Sequence, residues 1–192
     1  MNMQPTSEKP KPRIKVVPIA LCAVLLGAVV AIGLRDPVLS KDARYQECRA
    51  HLKSWLVAQR AYYAEHDAYL LDLKTIGFSP EVGNRYAYFT GPGPLDEKRD
   101  PNGLSAHVEG IGVDTKRFPG GAITFAQLPP DVARQVGLSG TCPQCQITMA
   151  CAAQLDDDAT LDVWSISTGD RRAGGALVPA ELVFLHSYDE AL

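Results

Sequence analysis

The longest apolar stretch of the chain runs from Val16 to Leu34, VVPIALCAVLLGAVVAIGL, and carries no charge. At ~1.5 Å rise per residue, a helix of this length just crosses a hydrocarbon core of ~30 Å. Val16, Leu21, Leu25, Leu26, Ile32 and Leu34 are its expected membrane anchors. Pro18 stands at the start of the run, where a missing backbone donor costs little. A cleaved signal peptide would have a shorter apolar core and a small-residue exit, whereas this run passes directly into Leu34-Arg35. Leu21 before Cys22, with apolar residues continuing after it, argues against a lipidated cysteine. A soluble helix apolar on every side needs a larger protein around it than this chain provides.

Arg35-Asp36-Pro37 breaks the pattern, and Ser40 or Asp42 can cap the first free amides of a second helix. Along that helix Tyr45, Cys48, Leu52, Trp55, Gln59 and Tyr62 recur at spacings of three and four, widened by Leu56 and Tyr63. Arg44, Glu47, Lys53, Arg60 and Glu65 fill much of the other side, so the helix is amphipathic and requires a partner surface. Aromatic residues at helical spacing read as core rather than as a ligand site. His51 and His66 are expected on the surface. Beyond Gly77 and Pro80 the period shifts. A short alternating run, Tyr86 to Phe89, precedes a loop rich in Gly, Pro and charge, and strands are predicted at Ala106–Val113, Ala122–Ala126, Gln146–Ala153, Leu161–Ser167 and Leu182–His186. Their short gaps favour antiparallel pairing. The predicted fold is α+β: a long N-terminal helix, half in the membrane and half amphipathic, packed on an antiparallel sheet.

This divides the chain into a polar, proline-containing tail at 1–15, a membrane helix at 16–34 and a globular domain at 40–192. Lys9, Lys11, Arg13 and Lys15 on one side nearly balance Arg35, Lys41, Arg44 and Arg49 on the other. The short tail is therefore the basis for placing the N-terminus in the cytoplasm and the domain outside the inner membrane, in the periplasm or at the cell surface. With 19 Lys and Arg against 22 Asp and Glu, the net charge of −3 gives no broad positive field for nucleic acid.

Outside the cytosol, thiols within reach of one another are oxidised by default. Cys142-Pro143-Gln144-Cys145 is the first disulfide candidate, with Cys48 and Cys151 as alternative partners. In the strand reading Ile147, Met149, Cys151 and Ala153 share a face, so Cys151 points toward the helix, where Cys48 can meet it. Redox and zinc readings of the CxxC lack a helix start and a second ligand pair, and covalent haem would require His where Gln146 stands. Asp156, Asp158, Thr160 and Asp162 alternate as calcium-binding oxygens do, which makes calcium the one candidate cofactor. The glycines of the loop match neither a dinucleotide nor a Walker pattern. The four histidines are scattered, and no nucleophile–base order suggests an enzyme.

Taken in order, YQECRAHLKSWLVAQRAYYAEHDAY, IGFSPEVGNRYAYF, CPQC and DDDATLDVWSIS resemble the type IV pilins of deltaproteobacteria, the myxobacterial ones above all. The resemblance implies a membrane-anchored structural protein, non-enzymatic, whose partners are the membrane, pilus or secretion-system subunits and further copies of itself. It covers a type IV pilus and the related pseudopilus of type II secretion. Prepilins carry a leader ending in glycine, then Phe and a glutamate within the apolar helix; here Arg13-Ile14-Lys15 precedes a run with neither Phe nor Glu. The expectation is accordingly a pilin-like associate of such a machine, with a polymerising pilin of degenerate leader beside it. A periplasmic calcium- or thiol-dependent binding module is the alternative from another class.

Overall fold

The computed structural model describes residues 37–97, 104, 106–155 and 159–187, with side chains from residue 44 onward. The tail at 1–15 and the apolar run at 16–34, with all its anchor residues, lie outside them. Among the described residues no helix is long and apolar enough to cross a membrane. The chain divides into two units, Met1–Lys41 and Asp42–Leu192; the sheet and cores described below belong to the second.

The first helix, α1 (Pro37–His66), starts a little before the predicted caps at Ser40 and Asp42. Proline is at home in a first turn, since the N–H it lacks would have no intrahelical partner. The interior then contains neither Gly nor Pro. At the far end Asp67 takes a left-handed conformation (φ 52°) and returns its N–H to the Tyr63 carbonyl at 2.9 Å, a cap that ends the helix. Cys48, Leu52, Trp55 and Gln59 are fully buried and Leu56 almost so, while Lys53, Arg60 and Glu65 are exposed, so the stripe read from spacing is the packed face.

Gln59 is the polar member of that face, and its amide does what a buried amide must. Nε2 donates to the Leu70 carbonyl (2.5 Å) and Oε1 accepts the Leu70 N–H (3.2 Å), which fastens the chain as it turns back from the helix. Asp72 fixes the next turn. It accepts the backbone N–H of Thr75 (3.0 Å) and of Val108 (3.0 Å), the Thr75 hydroxyl, and His107 Nδ1 at 2.7 Å. Burial alone would raise its pKa; these hydrogen bonds, Thr75 first, outweigh it and hold the carboxyl well below the usual range.

The remaining elements are β1 (Ala87–Phe89), β2 (Leu95–Asp96), β3 (Gly110–Ile111), a 3₁₀ turn at Phe125–Gln127, the single-turn α2 (Pro130–Ala133), β4 (Gly137–Ser139), β5 (Gln146–Ala153), β6 (Asp162–Ser167), β7 (Arg171–Ala173), β8 (Ala176–Val178) and β9 (Phe184–Ser187). One sheet runs β2-β3-β1-β5-β6-β9, with β4 pairing the start of β5, and β7 and β8 form a separate hairpin. The fold is thus α+β with a largely antiparallel sheet. One pair, β2 and β3, is parallel; the connection 97–109 supplies the crossover of roughly a dozen residues that parallel pairing requires.

β5 is the sheet's centre and is buried on both faces. Ile147, Met149, Cys151 and Ala153 pack with Tyr86, Tyr88, Ile111 and Ile166 beneath Leu52, Trp55 and Leu56 of α1. Ala150 and Ala152 face the other way, onto Phe89, Val113, Ile123, Leu128, Val132 and Val163. The small alanines on that face let a layer of loop and short turns approach the strand closely, so no second helix is needed there.

Three strand expectations change. Ala122–Ala126 contains no strand: Thr124 N–H donates to Gln127 Oε1 (2.8 Å), and this local bond closes the 3₁₀ turn while Phe125 packs edge-on to Phe89. Ala106–Val113 shrinks to Gly110–Ile111, because Val108 and Glu109 spend their backbone groups on Leu73, Asp72, Thr90 and Pro94. The C-terminal strand is displaced to Phe184–Ser187.

Because Trp55 is fully buried beneath the sheet, Trp55→Ala is expected to lower stability by about 3–5 kcal/mol. Urea denaturation followed by far-UV circular dichroism measures it; a loss under about 1 kcal/mol would be inconsistent with this core.

Candidate functional site

Cys48, Cys142, Cys145 and Cys151 form two disulfides in the structure. Cys48 on α1 is joined to Cys151 at the middle of β5, with Cα atoms 6.3 Å apart and 103 residues between them in sequence. Both are fully buried, so the bond clamps the helix to the sheet from inside the core. Cys142 and Cys145 close the short turn between β4 and β5. Tyr63 Oη donates to the Pro143 carbonyl at 2.6 Å, tying that turn to the last part of α1.

Beside the buried disulfide lies a polar network. Tyr86 Oη donates to Asp162 Oδ2 (2.5 Å), and Trp164 Nε1 donates to the same oxygen (2.6 Å). Burial pushes the Tyr86 hydroxyl far above its ordinary pKa, and the Asp162 carboxylate pushes it in the same direction. The Arg49 guanidinium lies 5.7 Å from the centroid of the Trp164 ring. One turn of helix away, Glu47 Oε1 accepts the Arg85 N–H at 2.7 Å, and His51 Nδ1 lies 2.6 Å from Tyr88 Oη. His51 is therefore no surface histidine: the spacing that puts Cys48, Leu52 and Trp55 inward brings it to the edge of the same face. His66 is exposed and stacks on Tyr62.

The two most distinctive strings of the sequence thus meet in space. Asn84 of SPEVGNRY donates to the carbonyls of Tyr86 (2.7 Å) and Gly112 (2.8 Å), Tyr86 follows two residues later, and its phenol reaches Asp162 of DATLDVW. Of the candidate calcium ligands, Asp162 is fully buried and engaged with Tyr86 and Trp164, whereas Thr160 is exposed. Asp156 and Asp158 lie outside the described residues. Among those described, no cluster of three or more His, Cys, Asp or Glu could hold a metal.

Sequence spacing also missed a Ser–His pair. Ser165 Oγ on β6 is 2.7 Å from His186 Nε2 on β9 and accepts from Arg171 Nη2 at 2.9 Å. Ser165 is only 1 % exposed, so its hydroxyl is wedged between two neighbours with no space for a substrate carbonyl. Burial, and then the Arg171 charge, lower the His186 pKa from 6.5 to about 4. This constellation is a cross-strand brace for β9.

A buried helix-to-sheet clamp and a second disulfide at a turn define a disulfide-braced α+β domain with one helix laid on a largely antiparallel sheet. The profile of the family Type IV pilin PilA matches residues 40–162, from α1 to the first residue of β6. The Type IV major pilin protein PilA of Myxococcus xanthus is 29 % identical over 171 residues, covering 79 % of this chain and 77 % of that one. The chain belongs to the type IV pilin family of myxobacterial type. The matched region carries all four bonded cysteines together with Glu47, Tyr86 and Asp162.

Loop length separates the disulfides energetically. Replacing Cys48 and Cys151 by Ala is expected to cost about 4–5 kcal/mol, and replacing Cys142 and Cys145 about 2 kcal/mol, measured as urea midpoints under non-reducing conditions. Acid should loosen the fold through His186. Its folded pKa lies below its unfolded one, so stability is full above about 6.5 and is lost as pH falls toward about 4. Thermal midpoints between those values should slope less in His186→Gln than in the unaltered chain.

Proposed function

We propose that this protein is a non-enzymatic structural subunit of a type IV pilus, anchored in the inner membrane by residues 16–34 and carrying its α+β domain on the outer side. The observation that carries this reading is the pilin-family match across 40–162, together with the relatedness to a major pilin along most of both chains. The architecture is consistent with it: a helix clamped to a sheet gives a domain that can hang from, or be pulled by, its own N-terminal segment. Self-association through that apolar segment, and contact with other pilus subunits, follow from the same reading. A pseudopilus would use the same parts, and the pilus is preferred because the matching family and relative are both pilins.

Shearing cells and immunoblotting the filament fraction tests the proposal. The chain is expected in sheared filaments, and Leu25→Arg with Leu26→Arg should remove it from filaments and from the carbonate-resistant membrane fraction, since each charge costs roughly 2.5–3.5 kcal/mol at mid-membrane. A chain absent from filaments in the unaltered strain would overturn the pilus reading; an arginine variant still in the membrane would overturn the anchor.

A further inference from the structure

The two disulfides stand in opposite environments. Cys48 and Cys151 are both 0 % exposed, inside the core between α1 and β5. Cys142 and Cys145 close a turn whose other residues, Thr141, Pro143 and Gln144, are all exposed. Within that pair Cys142 is half-buried and Cys145 is almost fully buried. Thiol–disulfide exchange requires a thiolate to reach one of the two sulfurs, so access decides which bond reacts and from which side. An incoming thiolate meets Cys142 at the surface and has no path to Cys48 or Cys151.

The turn does not depend on its disulfide for its place. Gly137, Leu138 and Ser139 of β4 pair with Thr148, Ile147 and Gln146 of β5. Tyr63 Oη holds the Pro143 carbonyl at 2.6 Å. At Gly140, in a left-handed conformation (φ 78°), the backbone passes so close to the other side of the loop that a Cβ would lie 3.2 Å from the Gln144 carbonyl oxygen. A bond between cysteines three residues apart also restricts the unfolded chain far less than one spanning 103 residues. Opening the short loop therefore leaves the helix-to-sheet clamp and both cores in place.

We propose that Cys142–Cys145 is a two-electron exchange site, reduced by an external dithiol in the folded protein while Cys48–Cys151 stays closed. A thiolate of the dithiol attacks Cys142 Sγ, forming a mixed disulfide, and Cys145 leaves as a thiolate that takes a proton from water. The second thiolate of the reductant then attacks its own sulfur in the mixed disulfide and displaces Cys142, which is protonated in turn. Two electrons and two protons pass to the protein, and the dithiol becomes a disulfide. The protein is the acceptor in this exchange, because no helix begins at Cys142 to activate it as an attacking thiol: the turn runs into β5. Reduction frees the turn beside the end of α1 and keeps the register of α1 on the sheet.

The test uses the full-length chain in detergent micelles with Cys22→Ala, which leaves only the four bonded cysteines. Dithiothreitol near neutral pH, followed by maleimide-polyethylene glycol without denaturant, is expected to give two adducts, mapped by peptide mass to Cys142 and Cys145. Four adducts are expected only after unfolding in guanidinium, and the far-UV circular dichroism of the reduced, unalkylated chain should match that of the oxidised one. Cys142→Ser with Cys145→Ser should take no adduct in the native state. Toward dithionitrobenzoate, Cys142 in Cys145→Ser should react roughly tenfold faster than Cys145 in Cys142→Ser. Four native adducts, adducts on Cys48 or Cys151, or none before denaturation overturn the proposal. Equal rates in the two single-serine variants overturn the choice of Cys142 as the attacked sulfur.

Discussion

The structure depends on one packing contact, the face of α1 against β5, closed from inside by Cys48 and Cys151. A helix on a sheet is held mainly by apolar burial, which is strong but non-directional and tolerates sliding and rotation. Here directional bonds remove that freedom. The disulfide fixes one point, Glu47 fixes the amide of Arg85 beside it, and Gln59 fixes Leu70 about three turns along. Two points well separated along an axis, each with its own bond geometry, leave α1 a single register.

That register explains why so much polar chemistry is spent internally. Glu47, His51, Tyr86, Tyr88 and Asp162 have the residue types that an active site uses, yet each named contact runs to another part of the same interface. Tyr86 shows the consequence: a phenol whose pKa is driven up by burial and by a carboxylate is a fixed donor, not a general acid. The buried Ser165–His186 pair is likewise occupied by structure, because Arg171 takes the serine oxygen from the other side.

How much of this was legible in the sequence follows from the range of the interactions. The stripe from Cys48 to Gln59 and the alternation in Gln146–Ala153 are local periodicities, and both elements were readable with their buried faces. β2, β4 and the hairpin of β7 and β8 are two or three residues long, too short for any period to emerge, and exist because a neighbouring strand supplies the hydrogen bonds. The reading of Asp162 as a calcium oxygen came from its spacing to Asp158 and Thr160. Its neighbours in space are Trp164, two residues on, and Tyr86, 76 residues back. Local spacing carries no information about the second. Arg171 was invisible for the same reason, since nothing in Gly-Asp-Arg-Arg says which arginine turns inward.

A pilin-family subunit has a particular use for a helix that cannot slip. Any force applied to the segment before α1 reaches the sheet through the helix–sheet contact, and the Cys48–Cys151 bond lies early in the described part of that helix. A covalent link there places the load on the central strand, whose ladders to β1 and β6 share it across the sheet. Beyond Cys48 the later turns are held by Gln59, by the Tyr63 bond to Pro143 and by apolar packing. The short Cys142–Cys145 loop lies off that path, at a turn, and holds local shape rather than load.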